Sequence, residues 1–119
     1  MKPGGDIKGI DYADTLKNVA QFGRDMTEAL VEFDALISPT VVDIAPPIAL
    51  VTENEDEYYR FNGRMLRNCS VANLMDGCGL SVPCHQPGQA PVGFMLTGVR
   101  NADRRILSLG LAIEAALRA

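Results

Sequence analysis

Ser81 and His85 are the one hydroxyl and imidazole close enough in sequence to suggest a nucleophile with its base. In an extended segment four positions separate two side chains by roughly 13 Å, too far for proton transfer, so the pair is a poor catalytic dyad. Three cysteines, Cys69, Cys78 and Cys84, fall within sixteen positions. Cys78, Cys84 and His85 are zinc-ligand types, yet the chain has no Cys-x-x-Cys pair and no fourth partner at a usual spacing, and we expect no metal and no cofactor. An odd cysteine count without a secretory pattern reads as free thiols, small apolar groups lining a strand.

Those residues sit in a chain of 119 amino acids, 47% hydrophobic, with a formal charge of -4. That length suffices for one core. Nucleic acid needs a concentrated basic face, and no Lys/Arg cluster exists here, which excludes that class and disfavours an anionic membrane surface. No apolar run approaches the roughly 20 residues of a spanning helix, and Met1 to Ile10 lacks the apolar centre of a signal peptide. A cytoplasmic protein is the expectation.

The elements that position these groups follow from periodicity. Residues 1–10 carry Pro3, Gly4, Gly5 and Gly9 and read as a flexible lead-in, with the folded segment spanning 11–119. Tyr12, Leu16, Val19, Met26, Leu30 and Phe33 recur at helical spacings and predict a first long helix. Gly23 falls on the same face, where the missing side chain lets another element approach. Asp34 to Thr40 predicts a short strand stopped by Pro39. Val41 to Leu50, with Pro46 and Pro47, predicts an apolar loop that lines a pocket. Glu53, Glu55, Asp56 and Glu57 then place negative charge at the start of a second helix carrying Tyr58, Phe61, Met65 and Leu66.

Gly79 to Cys84 and Val92 to Thr97 have strand length and composition, and the seven-residue loop His85 to Pro91 makes an antiparallel pair the simplest connection. Asn101 is a candidate cap for a third helix whose inward stripe is Ile106, Leu109, Ile113 and Leu117. The Thr97-Gly98 joint before it is a turn rather than an anion site. The fold class is α/β, a small mixed or antiparallel sheet packed with about three helices.

Phe33 to Thr40 (FDALISPT), Ala45-Pro46, Asn73 to Pro83, Pro91-Val92-Gly93, Asp103 and Ile113-Glu114 occur in an order that resembles the C-terminal portion of amidase signature family enzymes. The likeness runs from Tyr12 to Leu117. It implies part of a large twisted mixed sheet covered by helices, in enzymes several times longer than this chain. Members hydrolyse carboxamides, or release ammonia from glutamine in tRNA amidotransferases. Their nucleophilic serine, second serine and lysine belong to a signature that would precede Met1. Lys2, Lys8 and Lys17 lie far in sequence from Ser70 and Ser81, and His85 stands where the family usually has glycine.

The resemblance therefore implies a portion that shapes a substrate pocket for a linear amide and contributes no catalytic residue. Thr40, in the loop that runs to Pro47, and Arg67 and Asn68 would face that pocket. An acidic residue near the second place helps read glutamine in the amidotransferases, and Leu66-Arg67-Asn68 departs from that pattern. Arg67 instead suits a substrate carboxylate, or simply ends an amphipathic helix in favourable dipole contact. Asn73 is expected to satisfy backbone groups. The alternative function is a non-catalytic ligand-binding or oligomerisation module. A portion cut from a larger sheet leaves an edge and an apolar face without neighbours, so a homo-oligomer is expected.

Overall fold

The computed structural model describes residues 4–118, so the first three positions of the predicted lead-in, Lys2 among them, lie outside the described residues. A short 3-10 turn, Gly4–Asp6, precedes α1, Gly9–Ala29, which starts two residues before the expected position. It also ends sooner. Leu30 caps it, so Phe33 lies in the following turn and not on the helix.

Three strands form one antiparallel sheet in the order β1-β3-β2. They are β1, Leu36–Pro39, β2, Cys78–Pro83, and β3, Gly93–Gly98, within a residue or two of the apolar runs that predict them. Leu36 opposes Thr97, and Leu80 opposes Leu96, so β3 is paired on both sides. Its last four residues are all buried.

Helices cover both faces. α4, Asp103–Leu117, stands over the face of Leu80, Val82 and Gly98. A methyl group at Gly110 would strike the Leu80 side chain, and one at Gly98 would come within 2.6 Å of Ile106. Gly98 is thus a packing requirement. α3, Glu55–Leu74, lies on the other face, where Ala72 and Met95 approach Gly79. Its start agrees with the acidic first turn, and Asn54 caps it by accepting from the N–H groups of Asp56 and Glu57. A short helix, α2, Ile48–Thr52, follows Pro47 and is a fourth helix beyond the three expected.

Two local expectations are corrected. Asn101 does not cap α4; it takes φ 63°, a left-handed turn that asparagine tolerates, and Ala102 holds the cap position without a side-chain bond. The thiols do not all line a strand. Cys69 is half-buried on α3, Cys78 half-buried on β2, and Cys84 exposed just beyond it, all three free.

The core is small. Met75, Val82, Met95, Leu96 and Ile106 are its buried apolar side chains, and buried Thr97 carries the one buried side-chain oxygen without a partner among the described residues. The Cα radius of gyration is 17.4 Å, where a compact globule of this length has about 13–14 Å, and one principal extent is only 17 Å. The molecule is a slab. Gly23 faces the Met75 backbone, which a Cβ added there would meet at 3.6 Å, an ordinary contact, but the first turns of α1 leave Tyr12 and Leu16 more than half exposed.

Candidate functional site

Thr40 follows β1 immediately, and its N–H donates to the Gly93 carbonyl at 2.9 Å, continuing the ladder by one residue. Its side chain lies on the α3 face of the sheet. There Thr40 Oγ1 and Ser81 Oγ stand 2.6 Å apart, a hydrogen bond that bridges the two outer strands across β3. Gly93 makes the bridge possible, because a Cβ at that position would collide with both hydroxyl oxygens. Glycine is here for space.

α3 fastens this corner. Asn68 Nδ2 donates to the Pro39 carbonyl at 2.7 Å, and Cys69 Sγ to the Thr40 carbonyl at 3.6 Å. Thr40 and Asn68 are thus brought together, with the Asn68 amide committed to backbone. Arg67 lies on the solvent side of the same turn, with Nε 3.4 Å from Asn68 Oδ1. It does not end the helix, which continues to Leu74, so the helix-end account of Arg67 is set aside. Asn73 is exposed, and its backbone carbonyl, not its amide, closes the helix by accepting from the Asp76 N–H.

Val41 to Ile44 and Pro91 to Gly93 enclose an open cleft of about 240 Å³ beside the hydroxyl pair. Arg64 holds its outer wall through an ion pair of 2.7 Å to Asp43, with its guanidinium 5.9 Å from the Phe61 ring. Arg60 sits over the same ring at 4.5 Å, and its pKa is raised further by its bond to Glu57. Sequence reasoning missed Arg64, and it reached Gly93 only as part of the Pro91-Val92-Gly93 run, without its packing role. The Arg64 to Asp43 pairing joins positions too far apart in sequence for any periodic signal.

A hydroxyl becomes a nucleophile only when a base takes its proton. Ser81 is bonded to Thr40, and Ser70 Oγ donates to the Leu66 carbonyl in its own helix. His85 Nδ1 faces the Val92 backbone at 3.3 Å, and Lys17 is paired with Asp14 on α1. Among the described residues, no serine has a base at hydrogen-bond distance. A larger concavity, about 610 Å³, lies elsewhere, between α1 and the end of α3, and its mostly apolar lining suits packing rather than reaction.

The sequence profile of the Amidase family matches residues 6–107. The chain belongs to the amidase family. Over 94 residues it is 35% identical to the glutamyl-tRNA(Gln) amidotransferase subunit of Salinispora arenicola, covering 79% of this chain and 18% of that protein. It is 33% identical over 96 residues to the indoleacetamide hydrolase of Rhizobium radiobacter, covering 74% of this chain and 20% of the relative. Identity to the 2-amino-5-chloromuconic acid deaminase of Comamonas testosteroni is 27% over 110 residues, or 92% and 24% of the two chains. The chain therefore spans about a fifth to a quarter of these curated relatives. No solved structure matches significantly. The α/β fold is consistent with a part of the amidase signature fold, and among the described residues no helix is long and apolar enough to cross a membrane.

Proposed function

We propose that this chain is the pocket-shaping portion, C-terminal by resemblance, of a cytoplasmic amidase that hydrolyses the C–N bond of a linear carboxamide. The serine, second serine and lysine of that reaction come from outside the described residues. The observation that carries the reading is the family match over residues 6–107 in a chain that spans only 18–24% of its relatives. Free thiols, one of them exposed, suit a reducing compartment.

Within that reading, the bonded Thr40 and Ser81 hydroxyls fix the corner that the cleft shares through Gly93, and Asn68 positions Thr40 by holding the Pro39 carbonyl. Arg67, exposed and without a carboxylate partner among the described residues, binds a carboxylate on the substrate. The test is ammonia release from aliphatic and aromatic amides by the purified chain. We expect none above buffer; turnover that disappears in Ser81→Ala would overturn the reading.

A second reading, a self-associating module without chemistry, draws on the apolar side chains left bare, including Ile10, Tyr12, Leu16 and Ile48. Light scattering over a concentration series reads it, and under this second reading the isolated chain is a dimer or larger. A stable monomer that binds no apolar dye contradicts it.

A further inference from the structure

The ladder between β2 and β3 ends on a side chain. Pro83 opposes Gly93, so the next pair outward is Cys84 with Val92. In a hydrogen-bonded antiparallel pair the two residues exchange both backbone bonds. Here one of the two is made, from the Cys84 N–H to the Val92 carbonyl at 3.0 Å. The Val92 N–H donates instead to His85 Nδ1, 3.3 Å away. An imidazole nitrogen takes the place of the ladder carbonyl.

The substitution matters because of what depends on Val92. Among the described residues, the loop before it is bonded only to itself. The Gln86 N–H donates to Gln89 Oε1 and the Gln89 N–H to the Gln86 carbonyl, both at 3.1 Å, while Gly88 makes the turn at φ 83°. Pro91 has no N–H to give. The N–H and carbonyl of Val92 are therefore the two tethers that fix this end of the loop to β2, one held by His85 and the other by Cys84.

Val92 is also a shared wall. With Pro91 and Gly93 it faces Val41 to Ile44 across the cleft of about 240 Å³. Val92 and Gly93 line a second, apolar cleft of about 340 Å³ with Ile37, Pro39, Cys84 and Phe94. His85 lines neither, so it acts on either cleft only through Val92.

We infer that His85 is a positioning residue, whose Nδ1 holds the Val92 N–H and thereby sets the Pro91-Val92 wall between the two clefts. This rests on the proposed function only in taking the cleft of about 240 Å³ as part of a substrate pocket. An accepting Nδ1 carries no proton, so the neutral ring has its proton on Nε2. The Val92 carbonyl also lies 3.3 Å from Nδ1, but it already receives the Cys84 N–H, whereas the Val92 N–H has the imidazole as its one acceptor among the described residues. The family usually has glycine at this position, and glycine offers no side-chain acceptor, so the clamp sets this chain apart from that pattern.

The experiment has two arms, and because His85 is exposed its variants keep the fold. The first uses the 119-residue chain in mildly alkaline buffer, where the imidazole nitrogen shifts should report an unprotonated Nδ1. His85→Ala should speed exchange of the Val92 amide by at least about tenfold. His85→Asn, whose Oδ1 stands close to the place of Nδ1, should keep that protection within about threefold, and His85→Gln, whose amide lies one bond farther out, should lose it. A proton on Nδ1, or a Val92 amide indifferent to His85→Ala, overturns the clamp. The second arm places the same variants in the full-length amidase that carries this portion. His85→Ala should raise KM for the amide by about threefold or more with kcat changed less than about twofold, and His85→Asn should restore KM. Equal KM in all variants, with the Val92 amide responding as expected, overturns control of the cleft while leaving the amidase reading in place. No turnover in the unsubstituted full-length protein removes the amidase reading and the wall's role toward a substrate, while the first arm still decides the clamp.

Discussion

Leu96 and Leu111 are the same side chain in two regions of one small protein, the first 1% exposed and the second 70%. Leu96 lies on β3, enclosed by strands on both sides and a helix on each face. Leu111 lies on the flank of α4 above an unpaired edge. The same contrast divides α1, whose later turns rest on Met75 at Gly23 while Tyr12 and Leu16 are bare. The region around β3 is enclosed by this chain, whereas the first turns of α1 and the flank of α4 beside β2 carry apolar side chains that it leaves exposed.

The largest expected difference comes from shortening both leucines. Leu96→Ala should cost about 2–5 kcal/mol in urea unfolding, and Leu111→Ala less than about 0.5 kcal/mol. Comparable losses would mean that the α4 flank is also packed. Next is Gly93→Ala, which must push apart the Thr40 and Ser81 hydroxyls. A loss of about 1–3 kcal/mol is expected, with a loosened β1 end detectable by amide exchange at Thr40. Thr97→Val should go the other way, raising stability by about 1 kcal/mol, because the buried Thr97 hydroxyl lacks a partner. A slightly smaller gain, just under about 1 kcal/mol in thermal unfolding, is expected for Gly23→Ala. Its Cβ would have ordinary contacts with Met75, whereas the same change at Gly110 must displace Leu80.

Chemistry offers one further comparison, between the pocket corner and the exposed Arg67 beside it. In a full-length amidase carrying this portion, Arg67→Ala should raise KM for acidic amides and leave neutral ones unchanged. Unchanged constants for both substrate classes would reduce Arg67 to a solvated side chain.

Much of the closed region was legible from residue patterns. Gly or Pro bounded two of the apolar runs and Pro39 stopped the third, and the strands appear where those runs lie. The placement of β3 between its neighbours was not legible, because nothing local distinguishes a central strand from an edge. The Thr40 to Ser81 bridge was hidden for a similar reason, since it joins side chains 41 positions apart. Asn101 misled because asparagine serves both as a helix cap and in left-handed turns, and here the turn prevails. Helical periodicity placed Tyr12, Leu16 and Val19 on one face of α1 correctly. It could not say whether anything covers that face, because an apolar stripe records what a helix is built to meet.

Amide hydrogen exchange on the isolated chain tests the division most directly, because it resolves stability element by element. Met95, Leu96 and Thr97 on β3, with the inward turn of α4 around Gly110, should exchange slowest, at rates set by global unfolding. The amides of α1 around Tyr12 and Leu16 should exchange at least about a hundredfold faster, through local opening. Protection of α1 equal to that of β3, in a chain shown to be monomeric, would contradict the account.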